Sequence, residues 1–310
     1  MPALALTRFA ESVGETAQRI ATFMRGRSIE VPRLEAADLH ALKGALPAGT
    51  QVFLTAVAGR PASDRIEAAA RLRALGFEPV PHIAVRDAAS RQALGDLLAR
   101  LAAEARVRKL LIVGGDQAHR KGPFGSAIEL IESGLLQRHG IAEIAIAGYP
   151  EGHPRLPREQ LERALIAKLE AADQTGLPAT IVTQFGFEPA AVLAWLRRLR
   201  ALGIEHPVRI GMAGPTDLST LLRYARRCGV GASASGLARG AGLVKHLLGA
   251  SAPDRIIRAL AEARAEGQLG RIAAHLFSFG GAGATARWAT AVAAGRLLLD
   301  RAGGFGVEPP

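Results

Sequence analysis

The sequence predicts a (β/α)8 barrel with an extra N-terminal helix, and three observations carry that expectation. Eight short runs of branched apolar residues recur along 310 residues, each followed by a segment with apolar residues at helical spacing. Alternation of this kind implies parallel strands joined by right-handed crossovers. Eight such units suit a closed barrel, with a doubly wound open sheet as the structural rival. Finally, polar and ionisable residues gather at the carboxyl ends of the runs, where barrels of this class keep their chemistry. No linker, low-complexity segment or charge block divides the chain, so a single domain over residues 1–310 is expected.

Taken in order, an amphipathic helix over residues 4–25 precedes the first strand, 28–31 (SIEV), which Pro32 closes. A helix over 35–46 leads to a second strand at 51–57 (QVFLTAV), and Gly76 ends the helix expected over 62–75. The third strand, 78–85 (EPVPHIAV), carries two prolines that suit a strand poorly. Asp87 is placed to cap a helix over 88–106. The fourth strand is the organising stretch, 109–115, which runs KLLIVGG into Asp116. Its apolar run suits a strand buried on both faces. Gly114 and Gly115 permit sharp turning and close approach by a ligand. Asp116 alone reads equally well as a cap of the next helix. A helix over 126–137, a strand at 143–149 (EIAIAGY), a helix over 158–172 and a strand at 179–185 (ATIVTQF) follow. Next come a helix over 189–202, a strand at 208–213 (VRIGMA), and helices over 218–228, 237–248 and 253–266. The eighth strand is 271–279 (RIAAHLFSF), the last helix covers 285–299, and a Gly/Pro tail closes the chain.

Composition narrows the function classes. Aromatics are 5% of residues, so the core must be mostly Ala, Leu, Ile and Val. The single cysteine, Cys228, excludes an internal disulfide framework and a multi-cysteine metal site. No apolar run reaches the roughly 18 residues of a membrane span, and the N-terminus lacks the apolar middle of a signal peptide. A cytoplasmic protein with no membrane partner is expected. The formal charge of +11 comes mostly from arginines scattered along amphipathic helices, without a Lys/Arg tract interleaved with aromatics. That pattern favours attraction of an anionic small molecule over a nucleic-acid partner. A homo-oligomer is compatible with the sequence.

The strand ends supply Glu30, Thr55, His82, Asp116, Tyr149 with Glu151 and His153, Gln184 and Ser278. Each has a structural explanation: Glu30 pairing with Arg33, His82 as a core histidine, Tyr149 in packing, Gln184 satisfying backbone groups. Their joint appearance at equivalent positions points to a site. Glu30, His82, Asp116 and His153 lack any metal-ligand spacing, so no metal is expected. No GxSxG elbow occurs. The glycine-rich segment 229–236 (GVGASASG) does not follow a strand, whereas 278–284 (SFGGAGA) sits between a strand and a helix, where backbone N–H groups can hold phosphate.

Several segments resemble methylenetetrahydrofolate reductases. Residues 146–154 (IAGYPEGHP) are similar to the family's AAYPExHP, and 182–187 (VTQFGF) to its TQFFF. Residues 113–116 (VGGD) resemble LRGD, 28–33 (SIEVPR) a shortened FEFFPPR, 80–85 (VPHIAV) APHLT, and 209–217 (RIGMAGPTD) the seventh-strand PGILP segment. The resemblance implies a flavin-dependent (β/α)8 barrel that binds FAD and a folate and takes electrons from NADH or NADPH, in one-carbon metabolism and methionine biosynthesis. By motif, Glu30 stands where the family keeps its general acid, which must be protonated near neutral pH and therefore should lie in an apolar site. Asp116 stands where a carboxylate lies near the flavin and binds the pterin, and Gln184 where an amide pairs with the pterin. Thr55, His82, Gly114, Gly115, Tyr149, His153 and Lys168 fall at FAD-contacting positions, with Ser126 and Ala127 near a further contact.

The departures are specific. Gly114 replaces the arginine of LRGD, Gly186 interrupts TQFFF, and Gly281 stands at the eighth-strand arginine that contacts folate. Arg120, Lys121 or Arg287 could anchor folate instead. Two other readings stay open: a non-catalytic or partner-dependent folate-binding subunit, and an unrelated phosphate-binding barrel lyase.

Overall fold

The computed structural model describes residues 2–57, 59–115, 119–228 and 252–308. Eight parallel strands close into a barrel in sequence order, so the open-sheet rival falls away. The strands are β1 (Ser28–Val31), β2 (Gln51–Leu54), β3 (Glu78–Ala84), β4 (Lys109–Val113), β5 (Glu143–Gly148), β6 (Ala179–Thr183), β7 (Val208–Ala213) and β8 (Ile272–Phe277). The helices are α1 (Pro2–Arg25), α2 (Ala36–Ala45), α3 (Ala62–Ala74), α4 (Arg91–Ala105), α5 (Ala127–Glu132), α6 (Leu135–Arg138), α7 (Arg158–Gln174), α8 (Pro189–Ala201), α9 (Leu218–Cys228), α10 (Asp254–Ala265) and α11 (Ala282–Ala293). The extra helix α1 precedes β1 and packs against α10 and α11, burying Ile20, Phe23 and Met24.

Successive strand residues point to opposite faces, and the barrel uses both. Ile29 and Val31 of β1 join the large apolar cluster between strands and helices, as do Ile83, Ile112, Ile144 and Ile146. A second, separate cluster of Phe53, Val80, Leu111, Ala145 and Val182, one residue from each of β2 to β6, fills the interior. Aliphatic runs buried on both faces are what a parallel barrel requires.

Three expectations are corrected. The helix after β3 starts at Arg91 with Ser90 as its cap, whose Oγ accepts the Ala93 N–H at 3.0 Å. Asp87 instead ends a single 3-10 turn, Val85–Asp87. The helix expected over 126–137 is broken into α5 and α6, because Gly134 adopts a left-handed φ of 70°. The last helix stops at Ala293, and Gly295 at φ 78° turns the chain into an antiparallel pair, β9 (Leu297–Leu299) and β10 (Phe305–Val307), where helix and tail were expected. The helix expected at 237–248 and the segment 229–236 lie outside the described residues. No helix among those described is long and apolar enough to cross a membrane.

Candidate active site

Ser28 and Glu30 are two residues apart on β1 and therefore share the interior face. Register brings Ser28 beside His275 of β8, and Glu30 beside Phe53 of β2 and Phe277 of β8. All three polar residues are buried. Thr55, just past β2, donates its hydroxyl to Glu30 Oε1 at 2.7 Å. His275 Nε2 lies 3.2 Å from Glu30 Oε2. His82 Nε2 lies 3.4 Å from the same oxygen; that contact lacks hydrogen-bond geometry, and His82 Nε2 is buried with no hydrogen-bond partner. Ser278 fixes the strand itself, its Oγ donating to the Glu30 carbonyl at 2.7 Å.

These neighbours overturn the apolar, protonated Glu30 expected from sequence. Burial alone would push the carboxyl up, but the adjoining His82 and the hydrogen bond from His275 outweigh it and hold Glu30 well below the usual carboxylate range. Burial pushes the His275 imidazolium down, against the pull of Glu30, so the ring is neutral near pH 7. The structural alternative for Glu30, a pair with Arg33, is not what forms; Arg33 faces Glu35 at 3.9 Å.

Outward from Thr55, a cavity of about 280 Å3 opens between the ends of β1 and β2 and the start of α3, with Arg33, Arg60, Arg65 and Arg71 among its lining. On the other side, Phe185, Phe277 and Phe279 make an aromatic wall, and Tyr224 of α9 stacks on Phe279 with centroids 4.0 Å apart.

The remaining expected residues spread over the ends of β4 to β6. Gly115 takes a left-handed φ of 94°, and a Cβ there would lie 3.3 Å from Ala84 Cβ. Beside Gly114 stands the guanidinium of Arg86, which donates from Nε to the Gly125 carbonyl at 3.0 Å. Asp116 lies outside the described residues. Ser126 caps α5, with Glu129 Oε1 at 3.1 Å and the Glu129 N–H at 3.4 Å, and the Ala127 side chain packs in the helix-layer core. Tyr149 and His153 meet edge to face with centroids 5.5 Å apart. Lys168 sits on α7, where burial pushes its ammonium down to about 8.

Gln184 Oε1 accepts the Phe185 N–H at 3.0 Å. Glu151 reaches across from the β5 loop, and its Oε1 accepts the N–H groups of Phe187 at 2.6 Å and Glu188 at 2.9 Å. A Cβ at Gly186 would sit 2.5 Å from that oxygen, so the interruption of the aromatic motif is what lets the carboxylate seat. Thr55, His82 and Glu30 thus converge directly, while Lys168, Ser126 and Ala127 are held by helices around that centre. Among the described residues no group of His, Cys, Asp and Glu could hold a metal ion.

The family model described as "Methylenetetrahydrofolate reductase" matches residues 31–235. The chain belongs to the methylenetetrahydrofolate reductase family. A 5,10-methylenetetrahydrofolate reductase of Pectobacterium carotovorum is 29% identical over 152 residues, 48% of this chain and 48% of that protein. Methylenetetrahydrofolate reductase 2 of Saccharomyces cerevisiae is 31% identical over 83 residues, 27% of this chain and 14% of that protein. The matched segments therefore span half or less of these relatives. A solved structure described as an uncharacterized protein from Clostridium thermocellum that binds two copies of 5-methyl-5,6,7,8-tetrahydrofolic acid superposes with a TM-score of 0.52. That pair shares the fold, at 11% identity over 86% of this chain and 92% of the other. Ser28, Glu30 and His275 lie outside the family match; closure of β1 on β8 joins His275 to the other two, and the neighbouring β2 and β3 bring Thr55 and His82, which lie within it.

Sequence reading missed Ser28, His275 and Arg209. Polar residues at strand ends point to the rim, whereas these three lie lower in the barrel. Following the inward positions two at a time down the first, seventh and eighth strands would have found a polar residue on each.

Proposed function

We propose that this chain is a flavin-dependent reductase that interconverts methylenetetrahydrofolate and methyltetrahydrofolate. The observation that carries the reading is a buried carboxylate, Glu30, ringed by Thr55, His82 and His275 at the carboxyl ends of the strands in a chain of this family. The residues present fit FAD. Gly114 and Gly115 leave the backbone bare at the end of β4, and the Arg86 guanidinium stands beside them. Thr55, His82, Tyr149, His153 and Lys168 would hold the cofactor, with the backbone near Ser126 and Ala127. Arg86 would take the place of the arginine that Gly114 lacks.

When bound, FAD supplies reversible hydride transfer, with NADH or NADPH as donor. Asp116 and Gln184 would orient the pterin. Glu30 exchanges a proton with the nitrogen that leaves or closes the five-membered ring of the folate. Because its carboxyl rests ionised, it takes up a proton before it can protonate that nitrogen, and in the opposite direction it is ready to accept one. The adjoining cavity is lined by four arginines together with Asp64 and Glu67, which pair with Arg60 and Arg71, and the net positive lining that remains favours an anionic ligand. The Clostridium neighbour that binds a methylated folate supports the substrate class.

Absorbance of the purified protein tests the reading. A flavin band, bleached by NADH or NADPH and restored by methylenetetrahydrofolate, is expected. A colourless protein that binds folate would instead mark a partner-dependent folate-binding subunit, and a protein that takes up neither would overturn both readings.

A further inference from the structure

The hydrogen-bond chain that ends at Glu30 begins on β7. Arg209 Nη1 donates to the Gly26 carbonyl at 2.9 Å and to Ser28 Oγ at 3.1 Å. Ser28 Oγ lies 2.9 Å from His275 Nδ1 and 3.5 Å from the Ala274 carbonyl. A hydroxyl has one proton to give and two lone pairs to offer. With one lone pair turned to Arg209, Ser28 has its shorter contact at Nδ1. Nδ1 accepts only when it carries no proton, so the single proton of the neutral ring sits on Nε2, 3.2 Å from Glu30 Oε2.

The same heavy atoms permit the reverse. His275 Nδ1–H would donate to Ser28, Ser28 to the more distant Ala274 carbonyl, and a protonated Glu30 to Nε2. In that arrangement one serine oxygen accepts from two donors at once and gives its own proton to the weakest contact. A permanent cation on Ser28 disfavours it and also favours a carboxylate at the far end of the chain. Four groups act on this balance. Glu30 is faced by His82 and His275, and Arg209 by Lys109 and Glu143 across the interior.

We propose that Arg209 is a positioning residue. It holds the Ser28 hydroxyl toward His275 Nδ1, fixes the Nε2–H tautomer, and so keeps Glu30 an ionised acceptor from a distance of two side chains. The catalytic consequence rests on the role proposed above for Glu30; the tautomer itself does not.

The test is nitrogen NMR of the histidine rings in the full-length protein, with the His275 signals assigned by their loss in His275→Gln. At pH 7 a single neutral Nε2–H form is expected. Arg209→Met, similar in length and without a donor, should give a mixture of tautomers. It should also raise the proton affinity of Glu30 roughly tenfold, moving the pH dependence of the His275 ring signals up by about one pH unit. Arg209→Lys, which keeps a charged donor, should restore much of the single form. A wild-type ring protonated on Nδ1 would overturn the proposal without any variant, even if Arg209→Met fails to fold. So would an unchanged ring spectrum in a folded Arg209→Met that had merely lost thermal stability. The expected tautomer in a protein that turns over no folate would refute the function proposed for Glu30 and leave the positioning role standing.

Discussion

The barrel interior is built in two different ways. On the side of β2 to β6, Phe53, Val80, Leu111, Ala145 and Val182 form a dry layer in which one aliphatic or aromatic group meets the next. Where β7, β8 and β1 meet, the corresponding space holds Arg209, His275, Ser28 and Glu30, linked atom to atom. The dry side tolerates any residue of suitable volume, because its stabilisation is non-directional. The polar side depends on who donates to whom. Loss of a single member leaves buried polar groups unpaired, which typically costs about 1–3 kcal/mol each. The proposed chemistry lies on the side where directional bonds fix geometry, and the packing that holds the barrel rigid sits opposite.

The largest expected effect breaks the polar side. Glu30→Gln cannot exchange a proton, so the folate half-reaction should slow by roughly 10²–10⁴ while flavin reduction by the pyridine nucleotide survives. Stopped-flow traces of the two half-reactions check this, and equal slowing of both would assign Glu30 to structure. The same variant should flatten the acid limb of stability. Because the folded carboxyl titrates below its unfolded value, its contribution is present above the ordinary carboxylate range and is lost as pH falls toward the depressed one.

Leu111→Ala probes the dry side. It should cost about 2–5 kcal/mol by denaturant titration, through a cavity as well as lost transfer energy. Its stability profile should run parallel to wild type at every pH. A pH-dependent loss would mean that the two sides are coupled and that the contrast drawn between them fails.

Two smaller effects sharpen the cofactor assignment outside the barrel. Arg86→Ala should weaken FAD roughly tenfold to a hundredfold, the loss of one charge-assisted hydrogen bond. Gly114→Arg should restore binding only in that background, because in the natural protein a Cβ at position 114 already lies 3.8 Å from Arg86 Nη2. Fluorescence titration of the four forms decides, and tighter binding by Gly114→Arg alone would show that Arg86 does not stand in for the missing side chain. Lys168 carries the smallest effect. Its ammonium titrates at about 8, so it is charged below that value and neutral above it. FAD affinity should fall severalfold as pH rises through this range, and Lys168→Met should lose that dependence. An identical pH profile in the variant would remove Lys168 from the cofactor site.

Much of this was legible in the residues. Alternation of apolar runs and helical spacing determined eight parallel strands and their order, because period and crossover handedness leave few ways to bury both faces of such strands. Polar strand ends pointed to one rim of the barrel, and Glu30, Thr55 and His82 do meet there. Boundaries that depend on one glycine's conformation were not legible. Neither was the break at Gly134, the turn at Gly295, or the exchange of Asp87 for Ser90 as a cap.

What the sequence could not contain was the ionisation of Glu30. A carboxylate's proton affinity depends on which donors and charges surround it, and those neighbours come from the end of β2, from β3 and from β8. Ser28 and His275 are 247 positions apart, and closure of the barrel alone makes them neighbours. Local pattern fixed the walls, because strand and helix periods act over a few residues. The state of the site was decided by tertiary structure, because hydrogen bonds and charges act over a few ångströms whatever their separation along the chain.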